Sequence, residues 1–367
     1  MTITRDDIRA AVGAGKISEA QATAIVALSD ARRGARENLQ GLDEPFELFK
    51  GFNEIFIVVG LTILYAGWTG LTGVTTFLAS SSMTSLLLCG ITGMATLVAL
   101  ASYFTRRRRM VAPSIALAIM FAFSAIQAGW AVSYWMVPDS GIPKVTGSSD
   151  VRIVIMLALA TLAVIFYWLA FRVPFAMLLI ALGFYATCFG LTALNGPELD
   201  SFRDVFLLSA NSAFSWVTLA LGLLGLAIAL RFDMSDPHRV TRRASQAFWL
   251  HVIAAPAIVN TVAFTLFLQG GATSYLILSS FLLLMALFAI VIDRRSFLIS
   301  GIGYVVALTA LAAEGNTWAF ILLLGVFLVA LGAFWESIRG AIMAVLPAFP
   351  GKDNLPPWTR PREVSAS

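Results

Sequence analysis

The sequence predicts an all-α fold: a polytopic integral membrane bundle of about ten transmembrane helices with both termini on the inner side. Three observations carry that reading. Of the 367 residues 59% are hydrophobic and 13% are charged, against roughly 45–50% and 25% in a soluble domain. The apolar residues fall in long blocks almost free of charge, and a helix crossing the hydrocarbon core needs about 20 of them. The basic residues between the blocks alternate in density from one link to the next, as they do when alternate links face the cytoplasm. An ordinary soluble enzyme, a disordered chain and a disulfide scaffold are excluded together.

In chain order, residues 1–50 read as a cytoplasmic amphipathic helical hairpin. Ile8, Ala11 and Val12 follow helical spacing, Gly13 and Gly15 break the helix, and Ser18 with Gln21 matches a capping box. A second helix carries Ile25 and Leu28 and ends in Arg32, Arg33 and Arg36. Such a hairpin either docks a protein partner or a membrane surface, or caps the chain's own core. Asp6, Asp7, Glu44 and Glu47 do not fit a cleavable signal, so the first span is expected to be its own insertion signal.

Residues 51–337 form the bundle, with spans expected at 54–75, 83–104, 111–137, 151–171, 174–194, 205–230, 246–268, 273–292, 296–313 and 317–335. In the first, Gly67, Gly70 and Gly73 leave room for an early end and a loop. With the N-terminus inside, 22 of the 25 Lys and Arg residues lie on the inner side, and Lys144, Arg152 and Arg203 on the outer. Trp68, Trp130, Trp135 and Trp318 fall toward outer span ends and Trp168, Trp249 and Trp335 toward inner ends, while Trp216 falls near the middle of the sixth. Residues 338–367 begin as a short interfacial helix through Leu346. Pro347, Pro350, Pro356, Pro357 and Pro361 then end it in a Pro-rich tail, which is either a solvated end or a ligand for another domain.

Chemistry has few places to sit. Two cysteines, two histidines and four lysines outside the spans leave no disulfide framework, no bis-histidine haem, no zinc site built mainly from histidine and no retinal Schiff base. No cofactor, no metal site and no nucleic-acid partner is expected. Neither a Gly-x-Ser-x-Gly elbow nor an H-E-x-x-H helix is present, so no catalytic residue is assigned. Glu54, Asp293 and Glu336 sit at inner span ends and read as interfacial anchors, Asp293 beside Arg294 and Glu336 within reach of Arg339.

The candidate ligand-lining residues are polar side chains within spans. Asn211, Ser212, Ser215 and Trp216 cluster in the sixth span, as a ligand wall or as small-residue helix packing. His251 and Asn260 of the seventh point to opposite faces, with Pro256 between them disturbing the helix. His251 reads as an interfacial or packed neutral imidazole, and Gln127 of the third span is a lesser candidate. The run Arg106, Arg107, Arg108 and Arg109 is expected to anchor to anionic lipid headgroups.

The stretch Ile8–Ala22, with Ile-x-x-Ala-x-x-x-Gly-x-Ile-Ser-x-x-Gln-Ala, precedes the block of helices, and Phe248-Trp-Leu-His-Val-Ile-Ala-Ala-Pro256 lies within it. In both, the chain resembles uncharacterised families of bacterial predicted membrane proteins with an N-terminal amphipathic hairpin. The resemblance implies a multi-pass protein of the bacterial inner membrane and brings no activity and no functional residues. Ten spans with little soluble mass lead to the expectation of a transporter or permease-like or lipid-handling protein. The alternative is a non-catalytic accessory or regulatory subunit that docks a partner through residues 1–50.

Overall fold

A computed structural model describes residues 5–32, 52–78, 82–137, 151–194, 201–208, 213–237, 239, 241–312 and 317–358. All regular structure among them is helical. The α-helices are α1 (Arg5–Gly13), α2 (Glu19–Arg32), α3 (Phe52–Leu78), α4 (Ser82–Ala101), α5 (Val111–Met136), α6 (Val151–Phe171), α7 (Ala176–Leu194), α8 (Ala213–Met234), α9 (Arg242–Gln269), α10 (Gly271–Ile292), α11 (Ser296–Ala312), α12 (Thr317–Ala333) and α13 (Trp335–Val345). Eight of them, α3 to α10, are long and apolar enough to cross a membrane, which marks the chain as a membrane protein. Helices α11 and α12 are shorter, at 17 residues each.

Two compact units divide the chain. One holds α3 to α7 and the start of α8 as far as Leu221. The other holds α1 and α2, residues 206–208, and the chain from Gly222 onward.

In the α3–α7 unit, α4, α5, α6 and α7 each pack on the next, and α3 lies against α4 and α5. The core gathers Leu61, Leu97, Leu117, Phe121, Tyr167 and Phe171, with the Tyr167 ring 4.7 Å from Phe121 and 4.8 Å from Phe171. Helices α4 and α5 approach so closely that a Cβ on Gly90 would lie 2.8 Å from the Ala128 nitrogen. Small residues permit such contacts between membrane helices, where packing rather than water drives association. Helix α3 runs unbroken past Gly67, Gly70 and Gly73, which face open space, so the loop allowed for there does not form.

Two charges at span ends serve the backbone. Glu54 is buried, and its Oε2 accepts a hydrogen bond from the Ala112 amide at 3.1 Å, in the first turn of α5. It caps a helix N-terminus, where a carboxylate is favoured, rather than acting as an interfacial anchor. Arg152, also buried, donates from Nε and Nη2 to the Val137 carbonyl at 3.0 and 2.8 Å, just beyond α5.

In the other unit, α9 packs against α10 and α11, and α12 and α13 complete the contacts around α10 and α11. Pro256 sits inside α9 without ending it. The sixth span begins later than the sequence implied. Residues 206–208 are not helical, because the Leu208 amide donates to Thr265 Oγ1 at 2.9 Å and that hydroxyl reaches the Phe206 carbonyl at 3.4 Å. Helix α8 is described from Ala213 to Met234. The last span ends at Ala333, and Trp335 opens α13. In the N-terminal hairpin the capping box is formed: the Ser18 amide donates to Gln21 Oε1 at 2.9 Å and the Gln21 amide to Ser18 Oγ at 3.2 Å. Gly15, at φ 66°, turns the chain between α1 and α2.

Candidate functional site

The bounds of α8 differ from those expected of the sixth span. Trp216 lies in the first turn of α8, not at mid-span, and is 56% exposed, where an interfacial tryptophan belongs. Ser215 beside it is buried, as expected for neighbours about 100° apart around a helix. Asn211 and Ser212 lie outside the described residues. Asn260 on α9 and Gln127 on α5 are half-buried, the latter in the other unit.

At its other end, α8 carries Asp233 into the unit that contains α9. The connection to α9 is fixed by Asp236, whose Oδ2 accepts from the Thr241 amide at 2.9 Å and hydroxyl at 2.7 Å. Thr241 in turn caps α9 by accepting from the Arg243 amide at 3.2 Å. This short turn brings His251, about two and a half turns along α9, beside Asp233. The imidazole Nε2 lies 2.9 Å from Asp233 Oδ2.

The third member comes from the link between α10 and α11. Helix α10 ends with Asp293 in the left-handed conformation (φ 59°) and with the Arg294 amide bonded back to the Ala289 carbonyl at 2.9 Å, a Schellman closure. That turn sends the two side chains to different partners. Arg294 donates from Nη2 to Asp233 Oδ1 at 2.5 Å and from Nε to Oδ2 at 3.1 Å, and Nη2 also reaches the Ala244 carbonyl at 3.0 Å. Asp293 accepts from Trp335 Nε1 at 2.6 Å and pairs with Arg239 Nη2 at 3.2 Å. The expectation that Asp293 is an interfacial anchor is thus corrected: it is a buried helix cap that holds α13.

Arg294, Asp233 and His251 are 2%, 3% and 0% exposed along their side chains. A carboxylate held by an arginine fork is ionised and only accepts hydrogen bonds, so His251 donates through Nε2–H. Its Nδ1 carries a lone pair with no hydrogen-bond partner among the described residues. The His251 ring packs edge-on to Phe297, centroids 6.0 Å apart. The arrangement is a buried acid shared by a permanent cation and an imidazole. Among the described residues no three His, Cys, Asp or Glu side chains converge as a metal site requires.

Next to it, Arg339 of α13 donates to the Ile290 carbonyl at 3.2 Å, Pro356 at 2.6 Å and Pro357 at 3.0 Å. Leu355 and Pro356 are buried. As far as Trp358 the Pro-rich tail is therefore folded onto α13; residues 359–367 lie outside the described residues.

Sequence reasoning selected His251 and missed both of its partners. Asp233 lies beyond the expected end of the sixth span at residue 230, and Arg294 is read beside its sequence neighbour Asp293. The signal available was an aspartate close behind an apolar span, together with arginines in a link too short to leave the bundle. No protein-family model, no curated protein and no solved structure matches the chain.

Proposed function

We propose that the chain is a multi-pass protein of a bacterial inner membrane, with ten spans and both termini in the cytoplasm, of the transporter or permease-like or lipid-handling class. Helices α11 and α12, at 17 residues each, reach the short end of the roughly 17–25 residues a span uses. The 22-to-3 distribution of Lys and Arg supports the sidedness. The observation that carries the class is the buried Asp233–His251–Arg294 centre. Replacing a buried ion pair by apolar side chains is often neutral or stabilising, and His251 lies within α9, where an ionisable group marks an ion or proton path. A proton reaching Asp233 weakens its hold on Arg294. Because Arg294 also holds the Ala244 carbonyl, that event loosens α8, the start of α9 and the α10–α11 link together.

The test is a pH-jump current from the reconstituted full-length chain on a membrane-coated electrode. Asp233→Asn and His251→Gln should each lose the current while remaining monodisperse. Unchanged currents in both variants would remove the reading.

A second reading, an accessory subunit docking a protein partner through residues 1–50, is favoured by the closed α1–α2 hairpin with Ile25 45% exposed on it. Deleting residues 1–38 should then lose a co-purifying protein, and an unaltered pull-down counts against it.

A further inference from the structure

The end of α4 departs from α-helical geometry. Residues Ser102–Arg107 form a π-helical turn, closed by the Arg108 amide on the Tyr103 carbonyl at 2.9 Å and the Met110 amide on the Phe104 carbonyl at 3.1 Å. Such turns re-aim side chains and recur at functional sites. Here the turn divides four consecutive arginines into different tasks. Arg106 is spent on the fold: its Nη2 donates to the Ala170 carbonyl at 2.7 Å, and its guanidinium lies 5.1 Å from the Phe171 ring centre, at the C-terminus of α6. Arg108 lies over the Tyr103 ring at 5.6 Å, and among the described residues it donates from Nε alone, to the Tyr103 hydroxyl at 3.1 Å. Arg107 and Arg109 are exposed.

Beside Arg108 an open cleft of about 360 Å³ is lined by Asn53, Phe56 and Ile57 from the start of α3 and by Tyr103 and Phe104 of the π turn. No carboxylate lines it among the described residues, and nearby Glu54 is committed to the Ala112 amide. The wall is apolar and partly open, with Phe56 65% exposed. The cleft thus combines the Arg108 guanidinium with an aromatic and aliphatic lining.

We propose that this cleft is a binding site for an anionic phospholipid. The phosphate is held by Arg108, with its chain neighbours Arg107 and Arg109 adding exposed positive charge, and an acyl chain lies along Phe56, Ile57 and Phe104. Inorganic phosphate would use the arginines and leave the apolar wall in water. A zwitterionic lipid would meet positive charge with no acid to balance its ammonium group. The site lies in the α3–α7 unit and stands independently of the Asp233 centre.

The experiment uses the full-length chain in detergent, titrated with phosphatidylglycerol, phosphatidylcholine or inorganic phosphate. It reads lipid retained in native mass spectrometry and the thermal unfolding midpoint. Phosphatidylglycerol is expected to be retained and to raise the midpoint, and the other two are not. Arg107→Gln/Arg108→Gln/Arg109→Gln should weaken retention by roughly tenfold or more, with the lipid-free midpoint close to that of the unmodified chain. Phe56→Ser should lower phosphatidylglycerol retention as a second, uncharged probe, so a triple variant that fails to fold leaves the proposal testable. Equal retention of the two lipids overturns it. So does a triple variant or Phe56→Ser retaining phosphatidylglycerol as before, or an equal midpoint rise with inorganic phosphate alone.

Discussion

Arg294 and Asp233, 61 positions apart in the chain, meet side-on through two hydrogen bonds at 2.5 and 3.1 Å. Removing one member of a buried pair leaves the other charge uncompensated, which costs about 3–5 kcal/mol. Arg294→Met is therefore expected to lower the thermal unfolding midpoint sharply, and Asp233→Leu combined with Arg294→Met to recover most of the loss. A double variant no more stable than either single one would show that the two are not coupled.

His251 contributes one N–H to the same carboxylate. His251→Leu should cost about 1–3 kcal/mol, the usual penalty when a buried polar group loses a partner. His251→Gln, which offers an N–H from a comparable position, should cost less. Nitrogen NMR of labelled histidine should find the proton on Nε2. A proton on Nδ1 would reverse the tautomer inferred from the geometry.

Glycines in this chain are not equivalent. A Cβ at Gly90 meets the Ala128 backbone at 2.8 Å, whereas one at Gly67 meets nothing within 4 Å. Gly90→Ala should destabilise by about 1–3 kcal/mol through overpacking. Gly67→Ala should be neutral or slightly stabilising from helix propensity. Equal midpoints for the two variants would contradict the close α4–α5 approach.

Arg339 ties residues 356 and 357 to α10 and α13. Arg339→Ala should free that segment, and limited trypsin digestion should then cut after Lys352 faster than in the unmodified chain. Unchanged cleavage would mean that other contacts hold the tail.

The proposed sidedness predicts that Lys144→Cys reacts with an impermeant maleimide on intact cells and Arg243→Cys does not, in a background lacking Cys89 and Cys188. The opposite pattern would invert the topology.

Much of the helical layout was legible because its signals are local. Unbroken apolar runs located α5, α6 and α10 to within a residue or two, and Ser18 with Gln21 marked the start of α2. Polar ties made far along the chain were not legible. The Thr265 hydroxyl that binds the non-helical residues 206–208 is 57 positions from Leu208. Likewise Arg339 binds the tail through carbonyls of Pro356 and Pro357, which no side-chain pattern encodes.

The sequence by itself determined the membrane class and where most helices run, because burial in a bilayer demands apolar length and that demand is written residue by residue. It also placed most of the charge outside the spans. Only the tertiary structure decided which charges meet. Adjacency proposed Asp293 with Arg294. In the apolar interior an ionised group requires a partner at hydrogen-bonding distance wherever the backbone supplies one. The left-handed turn at Asp293 supplies it by sending Arg294 to Asp233 and His251, while Asp293 turns to Trp335 and Arg239.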